Sequence, residues 1–182
     1  MYACNSLTSL FSFGRWTMIE RKTSEGGGGL FDANGWEGYK KGFGNAKSGD
    51  YWLGLEKVHQ LTLNGNWKLM FKFRGVNGGT VVMIWNNFKV SSEEEEYRLS
   101  IGGKRTSWGD YSIYSKSYET AMKHHNGQMF STKDRDNDTG SGGKNCAKIH
   151  RGGFWYYNCR ALITPTEARS EFSETIMAMA PM

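Results

Sequence analysis

Apolar and polar positions alternate most regularly in the middle of the chain. Trp67-Lys68-Leu69-Met70-Phe71-Lys72-Phe73 sets apolar residues against basic ones over most of its length, a period of two that predicts a half-buried strand. Thr80-Val81-Val82-Met83-Ile84-Trp85 is β-branched and apolar, and Tyr97-Arg98-Leu99-Ser100-Ile101 alternates again, so both predict strands. Upstream, Trp16 to Arg21 predicts a short strand, and Trp36 to Gly44 a short helical turn closing on glycine. Tyr51 to Leu61 is partly amphipathic, with Leu55, Val58 and Leu61 at helical spacing. Gly26 to Gly29 reads as a flexible loop and Asn64-Gly65 as a turn. Glu93 to Glu96 reads as a solvated loop or exposed strand start.

After Gly103 the regular pattern nearly stops. From Lys104 to Cys159 the residues are turn-forming, polar and aromatic, and such a stretch needs another source of order, for which a bound ion and a disulfide suffice. Thr164 to Ala180 has few glycines and only Phe172 as an aromatic, and reads as a weak terminal helix or a disordered tail. No internal repeat is visible.

Composition narrows the class. At 182 residues the chain is read as one domain, and 24 Gly with 7 Trp point to many turns around a core of stacked rings. The net charge of +5 comes from scattered basic residues, which argues against nucleic acid as a partner. No segment has membrane-spanning length, and Met1 to Asn5 lacks the basic start of a secretion signal. The three cysteines are an odd number. In an oxidising compartment Cys146 and Cys159 would pair and leave Cys4 alone. The interior thus reads as secreted while the start carries no secretion signal, the mark of a fragment. His59, His124, His125 and His150 show neither nucleophile–base nor zinc spacing, so no enzyme is expected.

The densest candidate chemistry lies in Phe130-Ser131-Thr132-Lys133-Asp134-Arg135-Asp136-Asn137-Asp138, where three carboxylates alternate in a glycine-rich loop that runs on to Cys146. Such spacing suits a hard cation, because Ca²⁺ takes several oxygen ligands from side chains and carbonyls. A solvated acidic turn is the alternative.

Several ordered motifs resemble the fibrinogen C-terminal domain family. Trp16-Thr17-Met18-Ile19-Glu20-Arg21 looks like the family's W-T-V-I-Q-R strand, and Tyr39-Lys40-Lys41-Gly42-Phe43-Gly44 followed by Tyr51-Trp52-Leu53-Gly54-Leu55 is similar to its Y-x-x-G-F-G…F-W-L-G-N signature. Val58-His59-Gln60-Leu61-Thr62, His125-Asn126-Gly127-Gln128-Met129-Phe130-Ser131-Thr132, Asn145-Cys146-Ala147 and the Trp155-to-Cys159 block complete the set.

The resemblance implies an α+β fold, a twisted and mainly antiparallel sheet with short helices over about 16–103 and a loop-rich calcium subdomain over about 104–159. It sets apart an N-terminal remnant, 1–15, and an atypical tail, 160–182. It also implies a Ca²⁺ site with carboxylates from Asp136 and Asp138 and backbone carbonyls from Gly140 and Gly142, with Asp134 orienting the loop. Cys146–Cys159 matches the family's second disulfide, and a cis peptide bond is expected at Asn158-Cys159. Asn137-Asp138-Thr139 is a formal glycosylation sequon, expected to be unused because a glycan would crowd the ion.

In lectin members of the family, the region of the second cysteine forms a pocket for acetyl groups. Its counterparts here are His150, Trp155, Tyr156, Tyr157, Asn158 and Cys159, each of which could equally be a core or structural residue. Arg160 stands where lectin members often carry His, and Ala161 to Pro165 replaces the family's continuation. The domain therefore reads as trimmed at both ends, with closing strands absent and apolar sheet edges exposed, which predicts reduced stability or association. The main functional expectation is an extracellular, calcium-dependent recognition domain for acetylated glycans in innate immunity. The alternatives are a protein–protein adhesion or receptor-binding module of the extracellular matrix, or a truncated inactive paralogue. A homo-oligomer within a longer parent protein fits either binding role.

Overall fold

The computed structural model describes residues 16–24, 29–109, 122–159 and 172–182. The N-terminal remnant with Cys4, most of the Gly26–Gly29 loop, and Arg160 to Pro165 lie outside the described residues.

Seven strands form one antiparallel sheet: β1 (Thr17–Thr23), β2 (Phe43–Gly44), β3 (Tyr51–Trp52), β4 (Trp67–Gly75), β5 (Thr80–Val90), β6 (Leu99–Gly109) and β7 (Phe172–Pro181). Their spatial order is β2-β3-β1-β7-β4-β5-β6. Against it lie α1 (Gly29–Ala33), α2 (Trp36–Lys41), α3 (Leu55–Thr62) and, further on, α4 (Cys146–Ile149).

The expected strands and the first helices are present, but two regions differ from expectation. β6 runs on through Gly109 as the edge partner of β5, with Val82 opposite Trp108 and Met83 opposite Ser107. Its last residues, Thr106 to Gly109, are exposed or half-buried, and polar residues there suit a strand at the sheet edge, where an apolar one would invite further pairing. The larger correction concerns Thr164 to Ala180. Phe172–Pro181 is neither helix nor tail but the central strand β7, paired with β1 (Arg21 opposite Ile176) and with β4 (Phe71 opposite Met177). The central sheet is therefore closed across its middle, and its margins are the two-residue β2 and the polar end of β6. The expected apolar edges, and the instability inferred from them, lose their basis.

β7 is buried on both faces. Met177 and Met179 join the main core with Ile19, Phe71 and Trp52. Ile176, Ala178 and Ala180 join a second cluster with Trp16, Met18, Met70 and Val82 on the opposite face. Small side chains let this strand fit between two neighbours, where interior packing leaves little free volume. β4 is likewise buried on both faces rather than half-buried, with even Lys72 largely covered.

The main core is aromatic, and it reaches from the sheet into the region that carries the site. Tyr39 of α2 stacks edge-on to Trp52 with centroids 5.4 Å apart and lies 5.3 Å from Phe130, which meets Trp155 edge-on at 5.0 Å. Each polar handle is satisfied. Trp52 Nε1 donates to the Tyr39 carbonyl at 2.8 Å, and Trp155 Nε1 donates to the Tyr97 carbonyl at 2.7 Å. The Tyr39 hydroxyl donates to the Phe31 carbonyl and accepts from the Gly153 N–H. Phe130 and Phe154–Tyr156 thus belong to the same hydrophobic body as the sheet.

Candidate functional site

The site grows from two strand-like contacts. Ser131 and Phe154 exchange backbone hydrogen bonds of 2.9 and 3.1 Å, and Thr132 and Arg135 close a tight turn the same way. These fix the entrance of the acidic loop onto the buried Phe130 and Phe154.

Within the loop, alternate side chains have separate partners. Asp134 accepts from the backbone N–H of Trp36 at 2.9 Å and from Thr132 Oγ1 at 2.7 Å. Partial burial opposes its ionisation, but these donors outweigh it and hold its carboxyl below the usual range. Asp134 therefore anchors the loop to the start of α2, as expected of an orienting residue. Arg135 Nη2 donates to Glu96 at 2.6 Å while its guanidinium lies 4.0 Å over the Trp36 ring. Asn137 Nδ2 donates to Glu96 at 3.0 Å and to the Phe130 carbonyl at 2.8 Å. The sequon asparagine thus has its amide engaged inside the fold.

Asp138 receives the Gly140 N–H on one oxygen at 2.7 Å and the Cys146 N–H on the other at 2.8 Å. Burial pushes its carboxyl up, the two backbone donors oppose that, and the neighbouring Asp136 carboxylate pushes it further. Among the described residues neither Asp136 nor Asp138 is paired with a basic side chain. The side-chain ligand atoms gathered around Asp138 are the sulfurs of Cys146 and Cys159, which are spent in the disulfide, so the donors left to a cation here are carboxylate and carbonyl oxygens, the type that Ca²⁺ takes. Gly140 sits against Asp138, since a Cβ there would lie 2.6 Å from Asp138 Oδ1 and from the Lys144 carbonyl oxygen. Gly142, at φ +76°, faces open space.

The disulfide Cys146–Cys159 is formed, with Cα atoms 4.8 Å apart. It ties the residue that donates to Asp138 to the end of the aromatic block. α4 is capped by Asn145, whose Oδ1 accepts from the Lys148 N–H, while its Nδ2 donates to the Thr132 carbonyl. Beside the disulfide, Gly140, Ser141, Lys144, Asn158 and Cys159 line an open cleft of about 350 Å³.

The expected binding residues divide. Trp155 and Tyr156 are core, with Tyr156 donating to the Gly152 carbonyl, so neither offers a face to a ligand. His150 is half-buried, stacked on Tyr156, with Nε2 2.9 Å from the Cys159 carbonyl oxygen. Tyr157 is 42% exposed and stacks on His124 at 5.5 Å. Asn158 and Cys159 reach the cleft. The expected cis bond at Asn158-Cys159 is corrected, because no cis peptide occurs among the described residues. Glu96 was not legible in the sequence as part of the site. The signal that could have found it is an acidic run matched to a loop carrying Lys133 and Arg135 between its acids.

Comparison with known proteins agrees with this architecture. The family described as fibrinogen beta and gamma chains, C-terminal globular domain, matches residues 8–169. Mouse angiopoietin-related protein 1 is 39% identical over 143 residues, covering 79% of this chain and 26% of its own length. Chicken fibrinogen beta chain is 35% identical over 165 residues, covering 81% of this chain and 35% of its own. The chain thus spans roughly a quarter to a third of the curated relatives it matches. The fibrinogen-like globe domain of human ANGPTL2 superposes with a TM-score of 0.73 at 32% identity, covering 94% of this chain and 82% of that one. A lamprey fibrin D-dimer complexed with the peptide Gly-His-Arg-Pro-amide shares the fold, with a TM-score of 0.71 at 22% identity and coverage of 92% and 62%.

Proposed function

Because this protein belongs to the family of the C-terminal globular domain of fibrinogen beta and gamma chains, a family of recognition modules rather than enzymes, we propose that it is an extracellular module that binds a protein ligand at a calcium-organised surface. The observation that carries this reading is the joining of the Asp136–Asp138 carboxylates, the disulfide and the open cleft in one small region. The disulfide suits an oxidising compartment, and no helix among the described residues is long and apolar enough to cross a membrane.

Asp136 and Asp138, with carbonyl oxygens of the Gly140 turn, would hold Ca²⁺, whose chemistry here is to neutralise the two carboxylates and stiffen the turn. The protein's own residues do the rest. Gly140 permits the close approach, Cys146 fixes one Asp138 oxygen, and the disulfide carries that order to Asn158 and the cleft wall. Tyr157 supplies an exposed aromatic surface and Lys144 a positive rim, the combination of ring and cation that anchors protein interfaces. The peptide held by the lamprey fragment, which shares this fold, is in keeping with this ligand class.

Acetylated glycan is the second reading. It rests on the cleft beside Asn158, but Trp155 and Tyr156 are core and the described lining, Gly140, Ser141, Lys144, Asn158 and Cys159, carries no aromatic ring. The deciding experiment binds the protein to a panel of extracellular receptor ectodomains and to N-acetylglucosamine resin, each with millimolar CaCl₂ or EDTA. Calcium-dependent capture by an ectodomain, lost in Tyr157→Ala, supports the protein reading. Retention on the resin with elution by free acetylated sugar transfers the function to the second reading.

A further inference from the structure

The loop that carries Asp136 and Asp138 is not held by its own hydrogen bonds alone. A single residue from a distant part of the sequence grips it at three points. The Glu96 carbonyl accepts from the Phe130 N–H at 2.9 Å, one carboxylate oxygen accepts from Arg135 at 2.6 Å, and the other accepts from Asn137 at 3.0 Å. Arg135 and Asn137 are the residues interleaved with Asp134, Asp136 and Asp138. With these two odd-numbered side chains taken by Glu96, two of the even-numbered carboxylates are committed elsewhere: Asp134 to the start of α2 and Asp138 to the Gly140 and Cys146 N–H groups.

The backbone at Glu96 is unusual in a way that serves this grip. Glu96 has φ +58° and Tyr97 φ +47°, two successive non-glycine residues in the left-handed region, which L side chains adopt rarely and only where their surroundings hold them. The surrounding structure holds them there. The Tyr97 ring is buried, its hydroxyl donates to Glu56 at 2.7 Å, and its carbonyl accepts from Trp155 Nε1. The turn therefore aims the Glu96 carboxylate from a rigid base.

We propose that Glu96 is a positioning residue for the cation site, an acidic group that binds no ion but fixes Arg135 and Asn137 so that Asp136 and Asp138 are presented in advance of the ion. The proposal rests on the calcium reading above for its functional consequence, whereas its structural half stands without any ion. Partners outside the ligand set orient the ligands, and losing one typically costs about 10–100-fold in metal affinity. Glu93 provides the control. It lies three residues away and is acidic and part of the same fold, but its carboxylate oxygens accept from Trp36 Nε1 and Lys40 Nζ instead of from the loop's Arg135 and Asn137.

The test measures calcium affinity by titration calorimetry on the whole protein, together with amide hydrogen exchange at Asn137, Gly140 and Cys146 in EDTA. Expected for Glu96→Ala is calcium binding weakened about 10–100-fold and faster exchange at these three amides, with the exchange of β4 and β7 amides unchanged. Glu96→Gln, which keeps an oxygen for Asn137 but not the charge for Arg135, should fall between Glu96→Ala and wild type, and Glu93→Gln should match wild type. Equal calcium affinity in wild type and Glu96→Ala overturns the positioning role. If the wild type takes up no calcium, the ion reading fails by itself, and the exchange data still decide: unchanged protection in Glu96→Ala overturns the clamp, while selective loss at the three amides upholds it.

Discussion

Asp134 accepts a hydrogen bond from the backbone N–H of Trp36, 98 residues earlier in the sequence, at 2.9 Å. A carboxylate from the acidic loop thereby caps a helix whose own preceding residue, Gly35, has no side chain to do so. Asp134→Ala should lower stability by about 1 kcal/mol, the usual cost of a lost helix cap. Gly35→Ala should do much the same, because its Cβ would sit 2.4 Å from Asp134 Oδ2 and displace the cap. Urea denaturation of both variants and the double mutant checks this. The double mutant should be no worse than the costlier single one, since both remove one contact.

Glu20 gives a pH dependence. It is buried in β1, and among the described residues neither carboxylate oxygen has a hydrogen-bond partner. Burial pushes its carboxyl up to about 8, against the pull of Lys22 and with the added push of Asp50. The folded value exceeds the unfolded one, so stability is fully present below about 4.5 and declines as pH rises towards about 8. The slope contributed by this group is at most about 1.4 kcal/mol per pH unit. Glu20→Gln, which also restores the residue of the strand motif that this segment resembles, should abolish it. Thermal melts from pH 5 to pH 9 should converge for the two proteins at the acid end and separate at the alkaline end, and parallel curves would refute this origin.

The disulfide closes a loop with a sequence separation of 13. Replacing both Cys146 and Cys159 by serine should cost about 3 kcal/mol, from the loop-closure entropy the bridge removes in the unfolded state. Calcium should then raise the melting temperature less than in wild type, because the Cys146 N–H that holds Asp138 is no longer tethered. Melts in EDTA and in millimolar CaCl₂ measure both effects.

Asn137 should stay unglycosylated when the protein is made in a secretory host, since its Nδ2 is committed to Glu96 and to the Phe130 carbonyl. Treatment with a peptide N-glycosidase should leave the mass at Asn137 unchanged. Glu96→Ala frees one of these bonds and is the variant in which partial occupancy would first be seen.

How much of this was legible in the sequence depends on where each residue spends its burial. β4, β5 and α3 declared themselves because apolar residues such as Phe71, Val81 and Val58 recur at the period of their element. β7 did not. Met177, Ala178, Met179 and Ala180 are good helix formers, and only the slot between β1 and β4 makes them a strand. Such a context-imposed preference is invisible to local propensity. In the site, the alternating aspartates and the cysteine pair were readable by chemistry, and Asp134 behaves as the orienting residue expected of it. Trp155 and Tyr156 were not separable from Tyr157, because a run of aromatics carries no mark of which ring meets Phe130 and which meets solvent. Glu96 was hidden because an acidic run reads as solvated surface, and its left-handed turn is set by the buried Tyr97.

The place of β7 has a consequence for biosynthesis. Its neighbours β1 and β4 are made roughly a hundred or more residues earlier, yet they do not touch through a common ladder until Phe172–Pro181 slides between them. While the ribosome is still adding the segment before Phe172, the nascent polypeptide holds two half-sheets with a hydrophobic gap, and contacts of such long sequence separation close slowly. During that interval the unfinished polypeptide leaves apolar sheet surface uncovered, which makes a stalled or prematurely released product prone to aggregate unless chaperones shield it.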